Sequence, residues 1–267
     1  MPPPTIGVFD SGFGGLTVLR ELLPLIPGAH YVYLGDTARL PYGAKSQATI
    51  ARYAVESARF LERRGADLLV IACNTATALA LAEIKAAVSI PVIGVIDPVV
   101  GAAQQRHPNA DVLVLATSAT VQSRAYREHC EARGLQATEK ACPLLVPLVE
   151  EGWTDHHVTR DVLRIYLREA LESCSPQAVL LGCTHYPLIA SAIEAMLREL
   201  GSQAAVMDSA QATAAAVANH FKLSADAAGE PVTFECFATD SVEKFRLLGS
   251  QFLQHSIDHV QLLDIGG

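Results

Sequence analysis

The chain has 267 residues, with 20 Lys+Arg against 28 Asp+Glu and a formal charge of −8. Half of it is hydrophobic and 18% is charged, which excludes a disordered chain and supplies enough apolar surface for one large or two modest domains. The acidic balance counts against a nucleic-acid partner, since that binding rests on Lys and Arg neutralising phosphates, and no run of eighteen apolar residues offers a membrane span.

The first twelve residues carry neither the basic start nor the apolar core of a secretory signal. Six cysteines without dense, regular spacing do not make a disulfide framework, so a reducing cytoplasm is the expected location. Along the chain, short β-rich apolar runs predict buried strands over 6–9, 31–34, 68–72, 92–96, 112–116, 179–181, 204–207 and 232–237. Between most of them, segments of helical length and composition predict helices over 46–64, 76–87, 122–133, 155–172, 189–200 and 210–221. Gly65 and Gly201 read as helix stops. Strands that are apolar on both faces and alternate with helices indicate a mainly parallel sheet covered on both sides, the doubly wound α/β class. Such sheets take ligands at the carboxyl ends of their strands.

A weak internal repeat divides the chain into two similar halves. Leu68-Leu69-Val70-Ile71-Ala72-Cys73-Asn74-Thr75 resembles Ala178-Val179-Leu180-Leu181-Gly182-Cys183-Thr184-His185. In each, an apolar strand runs into a cysteine, then a residue able to cap a helix, then a helical stretch. Asp97 follows Cys73 by 24 residues, and Asp208 follows Cys183 by 25. The expectation is two pseudo-symmetric doubly wound domains.

For Cys130, Cys142, Cys174 and Cys236 the default reading is a small buried hydrophobe. Cys73 and Cys183 differ, because each falls at the carboxyl end of a strand just before a helix. There, unpaired N–H groups and the positive end of the helix dipole favour the thiolate. Two thiols on pseudo-symmetric halves, facing each other across a cleft, make a specific device: one removes a proton from one face of a carbon and the other delivers a proton to the opposite face. A Cys-His hydrolase needs only one nucleophile.

The polar neighbours fit this chemistry. Asp10 is placed to orient or deprotonate the first thiol, and His185 the second. The Gly12–Gly15 loop offers backbone amides to an anion. Asn74, Thr75 and Thr184 serve either as helix caps or as ligands of a carboxylate. Pro41, Tyr42 and Gly43 read as a turn that lines the cleft or as a plain loop. Thr117-Ser118-Ala119-Thr120 occupies in the second half the place of Asp10-Ser11 in the first, and Thr117 and Thr120 make it a second candidate hydroxyl-rich anion cradle. Glu150 and Glu151 are either a solvated acidic pair or part of the site. Thr17 stands at the third glycine of a dinucleotide fingerprint, and Cys73, Cys183, His185 and Asp10 lack the short ligand spacing of a zinc site. With five lysines and no evident cofactor pocket, a pyridoxal Schiff base is disfavoured, and no cofactor or metal is expected.

Four segments, 7–16, 34–43, 72–76 and 181–188, resemble in order the motif set of the glutamate racemases, within the aspartate/glutamate racemase family. The match spans nearly the whole chain. The resemblance implies a cofactor-independent isomerase that interconverts L- and D-glutamate, the latter for bacterial peptidoglycan. It implies a first domain of residues 1–97 with 209–267, a second of 98–208, the active site in the cleft between them, and a homodimer. By position, Cys73 and Cys183 become the two acid/base residues, Asp10 supporting the first. His185 supports the second with a glutamate of the 149–152 stretch, Glu150 in preference to Glu151. Asp10, Ser11, Pro41, Tyr42, Gly43, Asn74, Thr75, Thr117, Thr120, Thr184 and His185 would bind the amino acid. The aspartate racemases, which usually carry an acidic residue at the place of His185, are the nearest alternative. A non-catalytic α/β protein that binds a partner is the alternative of a different class.

Overall fold

In a computed structural model of the chain, which describes residues 3–221 and 233–265, the apolar runs form the central strands of two parallel sheets. The strands are β1 (Thr5–Asp10), β2 (His30–Gly35), β3 (Leu68–Ile71), β4 (Val92–Gly94), β5 (Asp111–Ala116), β6 (Gln136–Ala141), β7 (Ala178–Gly182), β8 (Ala205–Asp208), β9 (Thr233–Ala238) and β10 (Val260–Leu262). Every residue of β3 and of β7 is buried, which is why both read as continuous hydrophobic runs: helices cover both faces of a parallel sheet. Burying each Val or Leu side chain there contributes about 1.5–3 kcal/mol.

The chain divides into two compact units, Met1–Val95 with Ala210–Gly267, and Ile96–Ser209. In the first unit the strand order is β10-β9-β2-β1-β3-β4, and in the second β6-β5-β7-β8, with parallel pairing throughout. The stretch β2-β1-β3-β4 therefore has the same topology as β6-β5-β7-β8. The internal repeat is a repeat of fold, with Cys73 following β3 and Cys183 following β7, its counterpart. In each unit the cysteine-bearing strand pairs with the first strand of the repeat, β3 with β1 and β7 with β5.

Several boundaries differ from the sequence expectation. The strand expected over 92–96 ends at Gly94, and Ile96–Arg106 is a helix, with Asp97 and Pro98 in its first turn, where a missing N–H costs nothing. Asp97 is thus a largely exposed helix residue paired with Arg133 at 2.6 Å, whereas Asp208 closes β8, so these two aspartates are not counterparts although β4 and β8 are. The helix expected over 122–133 is two short ones, Ser118–Ser123 and Ala125–Glu131, broken at Arg124 with φ +59°. The edge strand β6, Gln-Ala-Thr-Glu-Lys-Ala, has no fully buried residue and hence no apolar run to betray it. Val232, assigned to a strand from sequence, lies outside the described residues; β9 begins at Thr233. Gly65 and Gly201 follow their helices in the left-handed region, at φ +84° and +83°.

All six cysteines are free. Burial pushes the Cys130, Cys142 and Cys236 thiols up to about 12, and Cys73 up to about 11. An unfolded chain releases these protons near pH 8.5 while the folded chain keeps them, so it is the folded state that binds more protons in alkali. Their contribution to stability is complete below about pH 8.5 and is lost as the pH rises from there towards 12. Urea midpoints measured under reducing conditions should fall steadily from pH 8 to pH 11. A flat profile over that window would contradict the buried, protonated state of these thiols.

Candidate active site

In the first unit, β1 and β3 lie side by side and deliver Asp10 and Cys73 to the same edge of the sheet. The register Phe9↔Ile71 puts the two strand ends level, and the Ala72 N–H donates to the Phe9 carbonyl at 2.8 Å. Cys73 caps the helix Asn74–Ala87: its Sγ accepts from the Ala76 N–H at 3.4 Å. The thiol donates in turn to Ser11 Oγ, also at 3.4 Å. Asp10 is buried, and its Oδ2 accepts from the Gly12 N–H at 2.8 Å. The anion served by this amide of the glycine loop is therefore the protein's own carboxylate. Tyr33 holds the same loop by donating to the Gly12 carbonyl at 3.0 Å. Gly15 is required by contact, since a Cβ there would sit 2.5 Å from Asp10 Cβ and 2.8 Å from Ala72 Cβ.

Asn74 and Thr75, at the start of the capped helix, are also buried. Tyr42 is buried in the cluster that contains Phe9, Ile71 and Cys73, and its hydroxyl donates to Asp36 Oδ2 at 2.6 Å. Pro41, beside it, is exposed, and Gly43 is half-buried.

In the second unit, β7 ends at Gly182 and Cys183 follows, buried. Cys183 Sγ lies 3.9 Å from His185 Nδ1, and Thr184 Oγ1 lies 3.4 Å from the same nitrogen. His185 Nε2 is 3.2 Å from Glu150 Oε1, at the end of the helix Leu145–Glu150. A proton on Nε2 directed at Glu150 leaves Nδ1 as an acceptor facing the thiol. The adjacent Glu151 is exposed, so the structure brings Glu150, not Glu151, to the imidazole. Thr117 caps the helix Ser118–Ser123 by accepting from the Thr120 N–H, and the two hydroxyls are 2.9 Å apart.

The polar groups beside the two cysteines differ between the halves. In the first the carboxylate stands at the end of the neighbouring strand. In the second that place is Ala116, and not the Thr117 stretch as expected from sequence, because Ala116 pairs with Gly182 just before Cys183; a histidine stands two residues beyond the cysteine.

Residues 6–217 match the family model described as Asp/Glu/Hydantoin racemase. The chain belongs to that family. A glutamate racemase of Koribacter versatilis (strain Ellin345) is 50% identical to this racemase over 99% of this chain and 98% of its own. The crystal structure of glutamate racemase from Francisella tularensis subsp. tularensis SCHU S4, in complex with D-glutamate, matches with a TM-score of 0.90 at 33% identity, covering 99% of each chain. That of Thermus thermophilus, in complex with beta-chloro-D-alanine, matches with a TM-score of 0.86 at 40% identity, covering 98% of this chain and 97% of its own.

The protonation state of Cys73 overturns one sequence-based expectation. The helix end was expected to favour the thiolate, yet Cys73 is pushed up to about 11. Burial is the largest cause and the Asp10 charge the next, and together they outweigh the Ser11 and Ala76 hydrogen bonds. The folded surroundings of Cys73 thus favour the neutral thiol. Asp36, which accepts from both Tyr42 and Thr239, lies in the 34–43 motif but is not among the site residues expected from sequence, and neither is Thr239. Asp36 follows an apolar strand as Asp10 does, and that position is the signal that could have found it.

Proposed function

We propose that this enzyme interconverts L- and D-glutamate without a cofactor by proton transfer between the substrate α-carbon and two thiols, Cys73 and Cys183. The observation that carries this reading is the duplication of one strand–cysteine unit on the same four-strand topology, one copy in each unit. Inversion needs an acid and a base on opposite faces of one carbon, and two equivalent strand ends supply them. In one direction a Cys183 thiolate takes the α-proton and leaves the electron pair on the α-carbon; Cys73 then protonates the other face and becomes the thiolate. The reverse reaction exchanges the roles. The names of the relatives and the D-glutamate complex support glutamate as the substrate.

In this reading Asp10 orients Cys73, and His185 with Glu150 moves the proton at Cys183. The hydroxyls, amides and turns at Ser11, Pro41–Gly43, Asn74, Thr75, Thr117, Thr120 and Thr184 hold the amino and carboxyl groups. Local dipoles of this kind are needed, because a chain of charge −8 does not attract an anionic amino acid through its overall field. The product would serve peptidoglycan synthesis in the cytoplasm, and the homodimer implied by the sequence resemblance belongs to the same proposal.

The decisive experiment is incubation of protein freed of metal and pyridoxal with L-glutamate in deuterated water. D-glutamate carrying α-deuterium is the expected product. Absence of both inversion and α-exchange would refute the proposal, and activity on L-aspartate alone would redirect it to the aspartate racemases.

A further inference from the structure

Asp36 follows β2 and has no exposed surface. Its Oδ2 accepts from the Tyr42 hydroxyl at 2.6 Å, and its Oδ1 from Thr239 Oγ1 at 2.9 Å, a residue 203 positions later in the chain. Arg39 Nη1 stands 3.6 Å from Oδ2 and is paired with Glu56 at 2.8 Å. Thr239 follows β9, and its hydroxyl oxygen also accepts from the Ala38 N–H at 2.9 Å. Its own N–H donates to the Gly35 carbonyl at 3.2 Å. Next to it, the Asp240 N–H donates to Thr37 Oγ1 at 2.9 Å. The returning C-terminal part of the chain thus grips residues 35–38 directly and Tyr42 through one carboxylate.

Tyr42 is the consequential member. Its ring packs in the cluster that holds Cys73, and its hydroxyl is committed to Asp36, so the turn Tyr42–Gly43 offers a substrate its backbone rather than its phenol. The aim of that backbone depends on where Asp36 anchors the ring. A buried carboxylate shared by two hydroxyl donors is directional, and losing one donor lets the acceptor and its other partner shift.

We propose that Asp36 and Thr239 are positioning residues through which the C-terminal segment sets the Tyr42–Gly43 turn for substrate binding. The proposal rests on the reading of that turn as part of the glutamate site. The test uses Thr239→Val, with Thr239→Ser as the conservative rescue. Thr239→Val should raise KM for L-glutamate about tenfold, the size of one lost hydrogen bond to a charged group, with kcat nearly unchanged. Thr239→Ser should restore KM. In Thr239→Val, hydrogen exchange of the Ala38 amide, which loses its acceptor, and of the Arg39 and Lys45 amides should quicken about tenfold, and nowhere else in the first unit. Unchanged exchange there, or faster exchange with an unchanged KM, overturns the proposal. So does a joint loss of kcat and KM that serine does not rescue. If Thr239→Val does not fold, Tyr42→Phe must show the same selective rise in KM, and a wild-type KM overturns the idea. If the wild type fails to racemise glutamate, the functional reading falls, and the exchange comparison alone decides whether Thr239 sets the turn.

Discussion

Cys73→Ser is expected to reduce racemisation about 10²–10⁴-fold in both directions while leaving thermal stability close to that of the wild type. Serine is the informative replacement because Cys73 has two tasks. Its sulfur caps the helix Asn74–Ala87, and alanine would remove that cap, costing about 0.5–2 kcal/mol and confusing lost chemistry with lost structure. A serine oxygen is a better cap, yet its proton is far too tightly held for the hydroxyl to act as the base. In the proposed mechanism both directions must fail, because the thiol that donates in one is the base in the other. The measurement is circular dichroism of glutamate inversion from each enantiomer, alongside a melting curve. A folded Cys73→Ser protein that keeps more than about a tenth of the activity would sink the two-thiol mechanism, given the rate that an acid–base group usually contributes. Cys183→Ser carries the same expectation.

His185→Asn should cost about 10²-fold in kcat/KM, and Glu150→Gln about tenfold. The imidazole stands between Cys183 and Glu150, 3.9 Å from one and 3.2 Å from the other, so in the proposed mechanism removing it takes away the group that moves the Cys183 proton. Glutamine at 150 still accepts a hydrogen bond from Nε2 but no longer stabilises a positive imidazolium, hence the smaller loss. L- and D-glutamate have equal free energies in water, so kcat/KM must fall by the same factor in both directions. The individual kcat values are free to diverge, and the more affected direction identifies the enantiomer whose proton Cys183 removes. Steady-state kinetics from both enantiomers test this. Wild-type kcat/KM in His185→Asn would exclude the imidazole from the proton path, and a Glu150→Gln loss larger than that of His185→Asn would contradict the order of action.

Much of this was legible locally. The strand–Cys–helix units of Cys73 and Cys183 could be read directly because a buried parallel strand is a continuous apolar run and the residue after it sits at a helix start. β6 was not legible, since an edge strand of polar, half-buried residues carries no such run. Nor was the break at Arg124, where a non-glycine residue adopts φ +59° inside an apparently continuous helix. At the site, Thr75 and His185 occupy corresponding places after the two cysteines, so the asymmetry of their roles was visible in residue type alone.

What the sequence by itself determined is the α/β class, the twofold repeat and the placing of one cysteine at each of two equivalent strand ends, because all three follow from local periodicity. Tertiary structure decided the rest. It turned Glu150 rather than Glu151 towards His185, and it tied Tyr42 through Asp36 to Thr239, both consequences of contacts between distant segments. It also reversed the expected state of Cys73. A helix end favours the thiolate, but burial and the Asp10 charge, which only the folded chain assembles around the sulfur, favour the thiol more. The six cysteines and the net charge of the opening composition could not reveal that, because desolvation belongs to the folded surroundings and not to the residue.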